Sequence, residues 1–169
     1  MPAERPSGVT IRDASSEEEL AELFILAKRA GLLPIVFQEG EPSLSWWLNW
    51  VATRCPLFLL AIDDSTGSPI GAGWVNAFVS NFNHKRAEVG FIFLPKLKSP
   101  FAYISAARRM LEIARHRLKP DLMLGTIPIH NDKAIAFAKR LGFKQVAVIP
   151  KYTIWYGRPS DAAILIMEL

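Results

Sequence analysis

The sequence contains a single cysteine, Cys55, and no long uninterrupted apolar run. One cysteine excludes an intramolecular disulfide and a cysteine-rich metal site, which indicates a reducing, cytoplasmic setting. No segment reaches the roughly 18 apolar residues of a membrane-spanning helix, and the opening stretch MPAERPSGVT lacks the apolar core of a signal peptide. We therefore expect a soluble, unexported protein without a membrane partner.

The charge of the chain is unevenly distributed. Half of the 169 residues are hydrophobic and 21% are charged, an ordinary globular balance for one domain. Between Lys96 and Lys119 seven basic residues stand against one acid, Glu112, within a net charge of +4. This basic block either binds an anionic ligand or forms a solvated helix face. It lacks interleaved aromatic residues and no DNA-binding motif is present, so nucleic acid is not an expected partner.

Hydrophobic periodicity and turn residues predict seven strands and four helices in the order β-α-α-β-β-β-α-β-α-β-β. Ser15 or Ser16 is expected to cap the first helix, and Pro56 to end the second. Asn131 is expected to cap the fourth helix, and Gly142 to end it. Residues 1–8 are expected to be a mobile extension before a single domain, 9–169, and residues 32–43 a loop. The predicted strands are 9–14, 57–64, 70–80, 87–94, 121–129, 143–155 and 161–169, and the predicted helices are 15–31, 44–54, 101–118 and 131–142.

Two segments together carry a family pattern. AEVGFIFLPKLKSPFAYISAARRMLEIA, residues 87–114, reads as a buried strand followed by a helix. After DLMLGTIPIH comes NDKAIAFAKRLGF, a helix with a characteristic spacing of Asn131, Ala134, Phe137, Gly142 and Phe143. In these features the chain resembles the GCN5-related N-acetyltransferase superfamily over nearly its whole length. The resemblance implies an α/β fold of three layers, α/β/α, around a mixed, mostly antiparallel sheet that splays between the fourth and fifth strands.

The resemblance also implies acetyl-CoA as co-substrate. Its pantetheine arm would enter the gap between the two strands, and its pyrophosphate would lie at the start of the next helix. Gly90 is predicted either to form the bulge that opens this gap or to permit close packing. The residues expected on the cofactor side are Phe93, Leu94, Lys96, Lys98, Ser99, Phe101, Ala102, Asn131, Ala134 and Phe137.

The stretch that should surround the pyrophosphate departs from the family pattern. LPKLKSPFAY contains no glycine, and none occurs between Gly90 and Gly125, so the usual nest of consecutive N–H groups is not provided. Two interpretations stay open. Lys96 and Lys98 replace part of the nest by charge, or the fold has lost efficient use of CoA and is a non-catalytic binding or accessory module, for instance one derived from a phage.

Acetyl transfer to a primary amine needs a base for the amine proton and an acid for the departing thiolate. Glu88 is the expected base, the alternative being an ion pair with a neighbouring basic residue. His84, predicted in the turn NFNHKR, is a second candidate. Ala138 stands where many relatives carry the tyrosine that acts as the acid. Tyr152 is therefore predicted to supply the proton, unless it packs at the sheet edge.

The acceptor side is the least defined by the sequence. Trp47 and Trp50 share a face of the helix 44–54 by their spacing, and Trp46 lies beside them. They either contact an apolar or cationic acceptor or pack in the core. The expected partners are acetyl-CoA and an unidentified amine, bound by a monomer or homodimer. Further candidates near the cleft are His130, Tyr156, Glu39 and Glu41.

Overall fold

The computed structural model describes residues 8–37, 41–81, 84–96 and 100–169, which contain seven strands and five helices. The strands are β1 (Val9–Asp13), β2 (Leu57–Asp63), β3 (Pro69–Asn81), β4 (His84–Phe93), β5 (Leu122–Pro128), β6 (Lys144–Trp155) and β7 (Arg158–Glu168). The helices are α1 (Glu17–Arg29), α2 (Leu33–Val36), α3 (Leu44–Arg54), α4 (Pro100–Leu118) and α5 (Asp132–Leu141). The predicted extension 1–8, apart from Gly8, lies outside the described residues.

The seven strands form one sheet in the order β1-β2-β3-β4-β5-β7-β6. Every neighbouring pair is antiparallel except β4 and β5, which are parallel. Parallel strands cannot be joined by a tight turn, and the chain makes this connection through α4. The prediction of a mixed, mostly antiparallel sheet is confirmed.

Short polar residues and one glycine define the ends of three helices. The side chains of Ser16, Ser43 and Asn131 each accept a hydrogen bond from the backbone N–H three residues later, at 3.4, 3.2 and 3.2 Å. Each bond satisfies one of the amide groups that a helix start leaves unpaired. Gly142 ends α5 with a φ of 109°, in the left-handed region that favours glycine. The predicted caps of α1 and α5 are confirmed.

Helices α1, α2 and α3 cover one face of the sheet, and α4 and α5 cover the other. Because β2 and the first half of β3 are buried on both faces, their sequences are almost continuously apolar rather than alternating. The core on the α1–α3 side includes Leu23, Phe24, Trp47, Leu60 and Trp74. The core on the α4–α5 side includes Ala107, Met110, Leu111, Ile135 and Phe143.

Two local predictions were wrong. Residues 32–43 were expected to be a loop, yet the buried Leu33 begins the one-turn helix α2 with Pro34 in its first turn. Four residues are too few to show a helical period. His84 was expected in a turn but begins β4 and pairs with Asn81, whose side chain also accepts from the His84 N–H at 3.0 Å. The β3–β4 hairpin therefore continues three residues beyond the predicted strand.

Side-chain contacts hold α4 at both of its ends. In the first turn the Tyr103 hydroxyl donates to the Leu94 carbonyl at 2.8 Å. In the last turn Arg117 donates to both carboxylate oxygens of Asp13 in β1, at 2.7 and 2.8 Å. This forked contact lowers the pKa of Asp13 below its usual value. None of the described helices, α4 included, combines the length and apolar character needed to span a membrane.

Glu19 should contribute stability that depends on pH. Its carboxylate accepts from Arg12 and from the N–H and hydroxyl of Ser15, both at 2.8 Å, and these bonds, the one from Arg12 foremost, lower its pKa to about 2. A lowered pKa means stability that is present above the unfolded value near 4.3 and is lost as the pH falls toward 2. Because the pair is partly exposed, we expect Glu19→Gln to cost about 1 kcal/mol at pH 7.

Urea unfolding at pH 7 and at pH 3 measures this contribution. The difference between wild type and Glu19→Gln should shrink at pH 3, where Glu19 begins to be protonated in the folded state. Glu17→Gln is the matched control, because Glu17 lies in the same helical turn and forms no ion pair with a described residue. An equal cost for the two variants would show that helix-end charge, not the Glu19 contacts, is responsible.

Candidate active site

The sheet opens between β4 and β5. The two strands pair over only three residues at one end, with Glu88 opposite Leu124 as the last pair. Beyond it, residues 89–93 of β4 and 125–128 of β5 have no partner across the gap, although their outer edges stay paired with β3 and β7. The inner N–H and C=O groups of these residues therefore have no partner on the facing strand, and an extended polar ligand can satisfy them.

The point where the strands part coincides with a β-bulge. In β3 the register with β4 shifts between Val75 and Ala77, so Asn76 is an extra residue opposite Val89 and Glu88. A bulge bends its strand and increases the local twist. Gly90 remains in regular register, so the prediction that it forms the bulge was wrong. Its observed role is the alternative, close packing, since a Cβ there would lie 2.6 Å from the Trp74 indole.

Aromatic rings line the α4–α5 side of the gap. Phe93 lies 5.4 Å from Tyr103 of α4 and 5.9 Å from Phe137 of α5, measured between ring centroids. Phe91 stands two residues earlier on the same face and also contacts Phe137, at 6.1 Å. Both phenylalanine rings lean over glycines of β3, since a Cβ at Gly71 or Gly73 would meet Phe93 or Phe91 within 3 Å.

This arrangement agrees with solved structures. A ribosomal-protein-alanine N-acetyltransferase from Brucella melitensis matches with a TM-score of 0.76 at 20% identity, over 95% of this chain and 99% of that one. The protein yncA from Salmonella typhimurium, solved with its cofactor acetyl-CoA, matches at 0.75 and 20%, over 96% and 95%. Spermidine N-acetyltransferase from Vibrio cholerae, solved with CoA and spermine, matches at 0.78 and 16%, over 95% of each chain.

The chain has the fold of the GCN5-related N-acetyltransferases. The predicted α/β architecture, including the splay between the fourth and fifth strands, is confirmed. No protein-family model and no curated protein matches the sequence. The likeness is therefore one of fold, at sequence identities of 20% or less for the structures named here.

The acetyltransferase fold brings several predicted cofactor-side residues to the gap. Phe93 and Phe137 touch each other there, and Asn131 and Ala134 lie at the start of α5, directly after β5. The side-chain oxygen Oδ1 of Asn131 accepts the bond of the helix cap, and its side-chain NH2 group makes no hydrogen bond with a described residue. Phe93 lies on β4, and the other three residues lie in α5 or cap it.

The other predicted cofactor-side residues lie near the start of α4 or point elsewhere. The Leu94 side chain is buried in the core on the opposite face, so only its backbone borders this region. Lys96 is exposed just before the helix, and Phe101, in the first turn, is 83% exposed beside the half-buried Ala102. Lys98 and Ser99 lie outside the described residues.

The three predicted catalytic residues are not brought together. Glu88 is half-buried and lies at the point where the strands part. Its carboxylate makes no hydrogen bond or ion pair with a described residue. His84 is four residues away along β4, about 13 Å, at the closed end of the gap, where it faces Asp121 at 3.8 Å. Tyr152 is exposed on the edge strand β6, separated from β5 by β7.

The tryptophans of α3 divide between two environments. Trp47 is buried against Phe24 and Phe58, which matches the core-packing alternative. Trp50 stacks on Trp46 with a centroid distance of 6.1 Å. Glu41 pairs with Lys28 at 2.9 Å, Glu39 lies outside the described residues, and His130 and Tyr156 are exposed.

Trp74 of β3 was not among the site residues predicted from the sequence. Its indole covers Gly90 on the α1–α3 face of β4 and contacts Trp50 at 5.7 Å. The available signal was a tryptophan beside two glycines in IGAGWVNA, a pattern that suits a ring lying across a neighbouring strand. The position of Gly90 opposite Trp74 depends on strand register, which only the folded sheet defines.

Proposed function

We propose that this protein is an N-acyltransferase that moves an acetyl group from acetyl-CoA to a primary amine. The single observation that carries the proposal is the gap between β4 and β5, whose unpaired backbone edge suits the two amide groups of a pantetheine arm. The likeness to yncA, solved with acetyl-CoA, and to the spermidine enzyme, solved with CoA, supports the same ligand here.

The surroundings of the gap fit CoA. Phe93 and Phe137 supply apolar surface for the arm, and Ala134 is small at the start of α5, next to the end of β5. The pyrophosphate would lie by the first turn of α4, where the positive end of the helix dipole favours anions. Lys96, together with the predicted Lys98 and Ser99, would replace the missing glycine-rich nest by charge.

Glu88 is the proposed base. The amine nitrogen attacks the thioester carbonyl carbon, an N–C bond forms, the C–S bond breaks, and the amine proton passes to Glu88 directly or through one water. The carboxylate suits this role because Glu88 is half-buried at the point where β4 and β5 part, and no described cation forms an ion pair with it. Ala138 offers no proton for the thiolate, so Tyr152 remains the predicted donor. We assign no role to His84, because it lies at the end of β4 where the gap between β4 and β5 is closed.

Calorimetric titration with acetyl-CoA, followed by measurement of thiol release with a panel of primary amines, tests the proposal. We expect micromolar binding that weakens in a Lys96→Ala/Lys98→Ala variant. Glu88→Gln should bind acetyl-CoA like the wild type and lose about 100-fold or more in kcat, the usual contribution of a general base. Tyr152→Phe in the same assay tests the proposed donor.

One result would overturn the proposal, and a second would change only the assignment of the base. No binding at millimolar acetyl-CoA would favour the non-catalytic binding module instead. Full activity of Glu88→Gln, with unchanged binding, would remove Glu88 from the chemistry while leaving the transferase assignment in place. Binding and turnover are therefore measured on the same preparations.

A further inference from the structure

A row of aromatic rings leads from the protein surface to the point where β4 leaves β5. Trp46 stacks on Trp50 with an interplanar angle of 10°, and Trp50 meets Trp74 edge to face at 5.7 Å. Phe37 contacts both Trp46 and Trp50, at 5.7 and 5.5 Å. We call Trp46, Trp50 and Trp74 the tryptophan row.

The tryptophan row is open at one end and buried at the other. Trp46 is 45% exposed, Trp50 is half-buried, and Trp74 is only 9% exposed over Gly90. Beside it lies a small recess with only apolar lining: Leu23, Phe24, Ala27, Leu33, Val36, Phe37, Trp47, Trp74 and Ile92. A ligand that lies along the tryptophan row toward β4 therefore contacts apolar and aromatic side chains over the whole length of the row.

One carboxylate stands at the inner end of the tryptophan row. Glu88 lies two residues before Gly90, so it points to the same face of β4, about 7 Å along the strand from the residue that Trp74 covers. Within α2, α3, β3, β4 and β5 it is the only acidic residue. Helix α1 also lines the recess, and its four glutamates are exposed or, for Glu19, paired with Arg12. The nearby Glu41 is already paired with Lys28.

A polyamine carries several separated ammonium groups and needs several carboxylates, whereas a monoamine needs one. Aromatic faces attract a cation as well as apolar carbon, and both contacts strengthen where water is excluded. Building on the proposed acetyl transfer, we propose that the acceptor is a monoamine with an aromatic or long aliphatic group. The amine lies at Glu88 and the apolar group lies along Trp50 and Trp46. Trp46 and Trp50 then determine acceptor specificity.

The test compares three acceptors: decylamine, ethylamine and spermidine. For each we would measure equilibrium binding by calorimetry in the presence of CoA, and kcat/KM with acetyl-CoA. The wild type should favour decylamine, whose chain is long enough to follow the tryptophan row, over both others by about 10-fold or more, the typical discrimination from burying several apolar carbons. Trp46→Ala removes an exposed ring and should fold normally. It should lower binding and kcat/KM for decylamine about 10-fold while ethylamine changes less than about 2-fold.

Trp155→Ala is the matched control, because Trp155 ends β6 at the turn into β7 and lies outside the tryptophan row. It should behave like the wild type with all three amines. A preference for spermidine, or unchanged decylamine binding in Trp46→Ala and in Trp50→Ala, would overturn the inference. Failure of the acetyl transfer itself would appear differently, as binding of decylamine without binding of acetyl-CoA.

Discussion

Gly71→Ala should abolish most acetyl-CoA binding, although Gly71 lies in β3 and does not border the gap. A Cβ at Gly71 would lie 2.4 Å from the Phe93 ring and 2.7 Å from the Ile92 carbonyl oxygen. Rotation of a side chain cannot relieve the second contact, because it involves the backbone of β4. The strand must shift, and the Phe93 ring must move off β3 toward Phe137 and the gap. We expect the Kd for acetyl-CoA to rise at least about 10-fold, since overpacking of this kind costs about 1–3 kcal/mol.

Calorimetry and thermal unfolding together check this result. Unfolding of Gly71→Ala should occur about 4–8 °C lower, in line with a cost of about 2 kcal/mol in a chain of this size. Adding Phe93→Leu to Gly71→Ala shortens the ring that must move, so part of the affinity should return. Wild-type affinity in Gly71→Ala would show that the position of the Phe93 ring does not control the gap.

Gly125→Val should separate cofactor binding from stability. Gly125 lies on the unpaired part of β5, and a Cβ there would meet no heavy atom within 4 Å. Valine also suits a strand better than glycine does. We therefore expect an unfolding free energy within about 0.5 kcal/mol of wild type, as for an unstrained surface change. The new side chain should instead occupy space beside the pantetheine arm and raise the Kd for acetyl-CoA at least about 10-fold.

Adenosine 3′,5′-bisphosphate provides the control ligand for Gly125→Val. It contains the phosphate-bearing end of CoA without the pantetheine arm, so its affinity should not change. Equal weakening of both ligands would indicate a general distortion of the fold, and unchanged acetyl-CoA affinity would place the arm away from β5.

Local signals predicted much of the fold correctly. The end of α3 and both ends of α5 follow from Pro56, Asn131 and Gly142, residues whose effect on the backbone depends on their immediate neighbours. The one-turn helix α2 was missed because four residues contain too little pattern to outweigh the surrounding loop composition. Capping residues and hydrophobic periodicity thus predict the longer helices and strands, whereas an element of one turn is too short to be recognised.

The candidate site was harder to predict because its features arise between strands. The bulge at Asn76, the role of Gly90 and the position of Trp74 all depend on the register of β3 with β4. An alternating pattern along one strand carries no information about which residue of the next strand lies opposite. The splay itself was expected only through a family resemblance. Glu88 was named as a candidate base from the sequence, but its position at the point where β4 and β5 part was not predicted.

The glycine and aromatic pairs of the central strands have an evolutionary consequence. Gly71 with Phe93, Gly73 with Phe91, and Gly90 with Trp74 each place an absent side chain directly opposite a large one. Within such a pair, neither residue can be replaced by a larger one unless the other is replaced by a smaller one, because close packing fixes their combined volume. A change in one member of a pair is therefore expected to require a matching change in the other. A lineage that changed its acceptor or its cofactor contacts would pass through paired substitutions, with the first one harmful by itself.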